Sequence, residues 1–200
     1  LIGLVGSEMC IRDSYRGRWN GLTVISLSIG QGELGCTPLQ MANMVATVAN
    51  RGHYRIPHVV KRIHDRDSID ARFYEDHHTK VDARHFDPIV EGMYKAVNEG
   101  GTGRIAMVPG LDICGKTGTA QNPHGADHST FFCFAPRNDP KIAVSVYVEN
   151  GRFGATIAAP IASLLTELYL TDTITRPALV DYVKNMQIAY PYYEKQRKGK

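Results

Sequence analysis

Cys114-Gly115-Lys116-Thr117-Gly118-Thr119-Ala120-Gln121 joins a cation, two hydroxyls and two side-chain-free glycines on what reads as one extended segment. Leu111 to Ile113 lead into it with strand-compatible apolar character, and Asn122-Pro123-His124-Gly125 stops it with turn residues. A Lys-Thr-Gly tripeptide alone is weak, since average composition produces one in about one chain in twenty of this length. Its meaning depends on the surroundings.

Downstream, Thr130 to Ala135 (TFFCFA) reads as a buried strand. Arg137-Asn138-Asp139-Pro140 turns the chain, and Ile142, Val144, Val146 and Val148 alternate on a returning strand before Asn150-Gly151 breaks it. A helix is expected from about Ala158 to Leu170, with Pro160 tolerable only in its first turn, and a short one within residues 177–189. Upstream, Thr23 to Ile29 (TVISLSI) alternates as a strand would. After Gly30-Gln31-Gly32-Glu33-Leu34-Gly35, Thr37 is a good N-cap, Pro38 suits the first helical position and Gln40 completes a capping box. Leu39, Met41, Met44, Val45 and Val48 give that helix an apolar face, and Asn50-Arg51-Gly52 ends it. His58 to Ile63 reads as another strand and Asp65 to Lys80 as a charged surface excursion. A second helix starts at Asp87-Pro88 and ends at Gly100-Gly101. Three neighbouring strands flanked by helices imply an α/β or α+β arrangement around an antiparallel sheet.

The chain has 200 residues, 43% of them hydrophobic, enough for a real core. Its net charge of +3 gives no electrostatic case for nucleic acid. The basic cluster at Lys195, Arg197, Lys198 and Lys200 reads as a solvated tail. No apolar run is long enough to span a membrane and Leu1 to Gly6 lacks a basic flank, so neither signal peptide nor anchor is visible. A chain beginning at Leu1 is expected to be a fragment whose targeting segment lies elsewhere. Residues 1–14 (LIGLVGSEMCIRDS) show no periodicity and look like translated adapter sequence joined to a genuine frame near Tyr15. Cys10, Cys36, Cys114 and Cys133 have no metal-type spacing and read as small buried residues. His77, His78, His124 and His128 read as surface loop histidines, and Trp19, Tyr94 and Tyr147 as packing residues.

Two nucleotide-binding patterns match by letter only. Gly110 to Thr117 fits the phosphate-loop pattern, but that chemistry needs a helix opening at the Lys-Thr, which Gly118 and Asn122-Pro123 deny. Gly30 to Gly35 fits a dinucleotide fingerprint, yet Thr37-Pro38 starts the helix after the last glycine and no acid follows near twenty residues on. A tight glycine turn into a helix accounts for it.

Lys-Thr-Gly on a strand is also a signature of penicillin-interacting serine acyltransferases. Trp19 to Gly32 (WNGLTVISLSIGQG), Thr37 to Ala42 (TPLQMA), Gly115 to Gln121, Phe134-Ala135-Pro136 and Val148-Glu149-Asn150-Gly151 occur in order. As a set, over roughly Tyr15 to Leu170, they resemble the C-terminal half of the transpeptidase domain of class B penicillin-binding proteins, of the cell-elongation type. The resemblance implies residues 15–171 as that half domain and 172–200 as an extension with a basic tail. It implies peptidoglycan cross-linking through a serine acyl-enzyme, without cofactor or metal, on a domain facing the periplasm from the bacterial inner membrane. Stem peptides, β-lactams and a membrane glycan polymerase are the implied partners.

By the same resemblance Lys116 supplies positive charge for proton transfer and for the substrate carboxylate. The hydroxyls of Thr117 and Thr119 bind that carboxylate, Gly118 lets a peptide lie beside the strand, and the Thr119 N–H forms half of an oxyanion hole. Strict alternation puts Thr117 and Thr119 on one face and Lys116 on the other, so all three share a cleft only on a twisted edge strand. The departure from the family is that neither Ser-x-x-Lys nor Ser-x-Asn occurs in these 200 residues. The nucleophile is expected upstream, and this chain alone is expected to be inactive. Three other readings are a β-lactamase or β-lactam sensor of the same superfamily, a P-loop NTPase, and a non-catalytic binding module on the same scaffold.

Overall fold

The computed structural model describes residues 21–32, 35–64 and 69–188. Residues 1–14, Trp19, Cys10 and the basic tail lie outside them. The elements run α1 (Gly21–Ser28), α2 (Pro38–Ala49), β1 (His53–Tyr54), β2 (His77–His78), α3 (Phe86–Asn98), β3 (Cys114–Ala120), β4 (His128–Ala135), β5 (Ile142–Val148), α4 (Ala158–Thr171) and α5 (Pro177–Asn185).

The sheet has the order β3-β4-β5 and is antiparallel throughout. Its two faces follow from the period of two along β4. Phe131, Cys133 and Ala135 face α4, where Ala158, Ala159 and Ala162 let the helix approach closely. Phe132 and Phe134 face the other way, onto Val45, Val48 and Ala49 of α2 and Val90 and Met93 of α3. Phe131 and Phe134 are fully buried, each worth about 1.5–3 kcal/mol over an exposed ring. Room for Phe131 comes from Gly115, where a Cβ would lie 2.5 Å from the ring. Helices on both faces of an antiparallel sheet agree with the α+β expectation.

The capping box of α2 forms as its sequence implies. Thr37 Oγ1 accepts from the Gln40 N–H and Gln40 Oε1 accepts from the Thr37 N–H, with Pro38 next in line. Asn50 closes the helix, and Arg51 and Gly52 turn away at positive φ. Pro160 lies in the first turn of α4, where its missing N–H costs nothing.

Four expectations need correction. Thr23 to Ile29 is not a strand: its first six residues belong to helix α1. The run is apolar at most positions, so its two-residue alternation does not distinguish strand from helix. Leu22, Val24, Ile25 and Ile29 all remain more than half exposed. His58 to Ile63 forms no strand either, because among the described residues nothing pairs with it and Val59 is 97% exposed. The pairing in that region is instead His53↔His78 and Tyr54↔His77. His77, His78 and His128 are therefore strand residues rather than loop residues. His77 stacks on Tyr54, and His128 Nδ1 accepts from the Asn150 N–H at 3.0 Å. Among the cysteines, Cys114 and Cys133 are buried, but Cys36 is exposed.

Candidate active site

β3 occupies the sheet edge, and among the described residues no strand pairs with its outer side. In an antiparallel ladder the N–H and C=O of one residue point the same way. The Thr119 carbonyl accepts from Gln31 Nε2 at 2.9 Å and the Thr117 carbonyl accepts from Lys116 Nζ at 2.9 Å, so both residues direct their backbone outward. Gly118, opposite Thr130, turns its own toward β4. The outer edge thus presents the Thr117 and Thr119 amide protons, as an added peptide strand requires.

Gly118 is held on a glycine-only path. A Cβ there would fall 2.6 Å from Thr130 Cγ2, and the loop after β5 lays Gly154 against its backbone. The Thr117 hydroxyl lies 2.9 Å from the Thr102 hydroxyl, which fixes its rotamer from the turn after α3. Lys116 is exposed and folds back so that its Nζ also lies 3.5 Å from Thr117 Oγ1.

Lys116, Thr117, Gly118 and Thr119 line one cavity of about 670 Å³ between β3, α2 and the Gly30–Gly32 turn. Lys116 lies across the ladder from Phe132 and Thr117 from Phe131, so their side chains leave opposite faces of β3, and the residues share the cavity along the strand edge. Met41, Met44, Val48 and Phe132 form the apolar wall. Among the described residues lining it, Lys116 carries the one formal charge, since no Asp, Glu or Arg does. A carboxylate beside an apolar group is the ligand chemistry this lining suits.

The nucleotide patterns fail on geometry. Lys116 and Thr117 lie inside a strand, so no helix N-terminus meets a phosphate there, and α2 begins at Pro38, after the last glycine of Gly30 to Gly35. Among the described residues no group of three potential metal ligands comes together. Sequence reasoning missed Gln31 and Thr102. The paired positive-φ glycines around Gln31 were the available signal for the first; a lone threonine after a Gly-Gly pair offers none for the second.

The model of the penicillin binding protein transpeptidase domain matches residues 10–167. The chain belongs to that family. Peptidoglycan D,D-transpeptidase MrdA of Acinetobacter baumannii is 34% identical over 179 residues, 81% of this chain and 26% of the relative. Peptidoglycan D,D-transpeptidase PbpA of Mycobacterium tuberculosis is 35% identical over 159 residues, 72% of this chain and 31% of the relative. Among solved structures, penicillin-binding protein 2 of Pseudomonas aeruginosa superposes with a TM-score of 0.69 at 38% identity, covering 80% of this chain and 35% of that one. The imipenem acyl-enzyme of penicillin-binding protein A from M. tuberculosis gives 0.61 at 31% identity, covering 74% and 34%. The chain therefore spans about a quarter to a third of the relatives it matches.

Proposed function

We propose that this chain forms the Lys-Thr-Gly wall of a peptidoglycan D,D-transpeptidase of the cell-elongation type, and that the acylated serine lies outside these 200 residues. The observation that carries this reading is the cavity: Lys116, Thr117, Gly118 and Thr119 line it together, with Lys116 the one charged residue among described lining residues that are apolar or neutral. The curated relatives are named peptidoglycan D,D-transpeptidases, which favours this reading over a β-lactamase or sensor.

In the reaction a serine hydroxyl attacks the penultimate carbonyl of a D-Ala-D-Ala stem peptide. The C–N bond breaks, terminal D-Ala leaves with the proton, and the ester then passes its acyl group to an amine on a neighbouring stem. Lys116 attracts the terminal carboxylate and supports proton transfer, and the hydroxyls of Thr117 and Thr119 hydrogen-bond to the carboxylate. The Thr119 N–H stabilises the oxyanion, a contribution of about 2.7–4 kcal/mol per donor where such donors have been removed. β-Lactams, which carry a carboxylate next to a strained amide, enter the same cavity and leave the serine acylated. The proposed setting is the periplasmic side of the inner membrane, beside a glycan polymerase. No helix among the described residues is long and apolar enough to cross a membrane.

The test joins this chain to its serine-bearing half and measures acylation by a fluorescent penicillin. Lys116→Ala is expected to slow acylation by at least tenfold, and an unchanged rate would refute the assigned role.

A further inference from the structure

Gln31 pairs with the outer edge of β3 as a strand would. Its Nε2 donates to the Thr119 carbonyl at 2.9 Å and its Oε1 accepts from the Gln121 N–H at 3.4 Å. A carboxamide carries donor and acceptor side by side, as a peptide group does, so the two contacts reproduce one rung of a β-ladder.

The Gln31 backbone is itself anchored. The Gly30 N–H donates to the Leu27 carbonyl at 3.0 Å and the Gln31 N–H to the Ser26 carbonyl at 2.9 Å. Those two bonds, with Gly30 at φ 74°, are the Schellman closure of α1. Gly32 follows at φ 72°, where a Cβ would fall 2.7 Å from Ser26 Oγ. The helix end therefore fixes the point from which the side chain reaches 88 residues along the chain to the strand.

Thr119 directs its N–H and C=O to the same side, so whatever fixes its carbonyl also orients its amide proton. We propose that Gln31 is a positioning residue for acyl transfer: its carboxamide holds the Thr119–Gln121 edge so that the Thr119 N–H points at the developing oxyanion. The inference rests on the transpeptidase reading and adds to it a residue that acts through the Thr119 backbone.

The experiment uses the protein that carries this chain with its serine-bearing half, and follows acylation by a chromogenic β-lactam, separating the acylation rate constant from the dissociation constant. Gln31→Ala is expected to lower the rate constant about three- to tenfold, the range of one or two hydrogen bonds, and to leave the dissociation constant within about twofold. Gln31→Glu gives a second readout. An ionised carboxylate cannot donate to the Thr119 carbonyl, whereas the protonated acid can. The ratio of variant to wild-type rate constant is therefore expected to climb as pH falls from about 8 towards about 5, approaching the carboxyl's own pKa. Wild-type rate constants for Gln31→Ala, or a pH-independent deficit for Gln31→Glu, would overturn the inference. Failure of the wild type to acylate would overturn the transpeptidase reading and this inference with it; an acylating wild type with an unaffected Gln31→Ala overturns this inference alone.

Discussion

Gly154, in the loop after β5, lies directly against Gly118 of β3. A Cβ on Gly154 would fall 2.5 Å from the Gly118 carbonyl oxygen and 2.4 Å from that of Thr130. Backbone cannot yield as a flexible side chain can, so the contact locks the loop onto the strand that carries Lys116, Thr117 and Thr119. Gly154→Ala is expected to cost about 1–3 kcal/mol in urea unfolding and to lower acylation as the strand shifts. Gly92, inside α3 with nothing within 4 Å of an added Cβ, is the control, and Gly92→Ala is expected to stabilise by about 0.5–1 kcal/mol. Equal effects at the two positions would contradict the close approach.

Glu167 on α4 is 1% exposed and clamps the segment leading to α5. Its Oε1 accepts from the Thr175 N–H at 2.9 Å and hydroxyl at 2.6 Å, and its Oε2 from Arg176 Nε at 2.9 Å. Burial alone would push this carboxyl up, but the Thr175 bonds and the Arg176 guanidinium outweigh it and leave it below its ordinary value. A depressed carboxyl stabilises the fold fully above its unfolded pKa and loses that contribution as pH falls through the folded one. Glu167→Gln is therefore expected to cost about 3–5 kcal/mol at pH 7, the range for a buried pair losing one charge. The gap to wild type should narrow below about pH 4 in parallel urea titrations. A gap independent of pH would show that the charge is not what holds the clamp.

Cys114 and Cys133 lie in the two core clusters, on opposite faces of the sheet, and burial pushes each thiol up to about 12. Thiolate is the nucleophile, so neither should react with a thiol reagent at pH 8 while the protein is folded. Exposed Cys36 should. Mass spectrometry after brief alkylation checks this, and modification of Cys133 without denaturant would contradict the core assignment.

The parts legible in the sequence are those specified locally. Thr37, Pro38 and Gln40 fix a helix start within four residues, and the alternation from Ile142 to Val148 fixes a strand. The Lys116–Thr119 wall was legible because its residue types, order and flanking turns recur as a set. The errors fell where no local rule decides. The Thr23–Ile29 run carries apolar residues in an order that fits either period, and His58–Ile63 has β-branched character without a pairing strand among the described residues. Gln31 escaped because its flanking glycines mark a turn but do not say what its side chain meets, and that contact lies 88 residues away.

Covalent labelling by a fluorescent penicillin tests the central claim most directly, comparing this chain alone with the same chain joined to its serine-bearing half. The expected result is no label on the isolated 200 residues, and label on the joined protein at a serine outside them that is slowed by Lys116→Ala. Specific labelling of a serine within Leu1–Lys200 would contradict it, as would labelling of the joined protein at an unchanged rate when Lys116 is replaced.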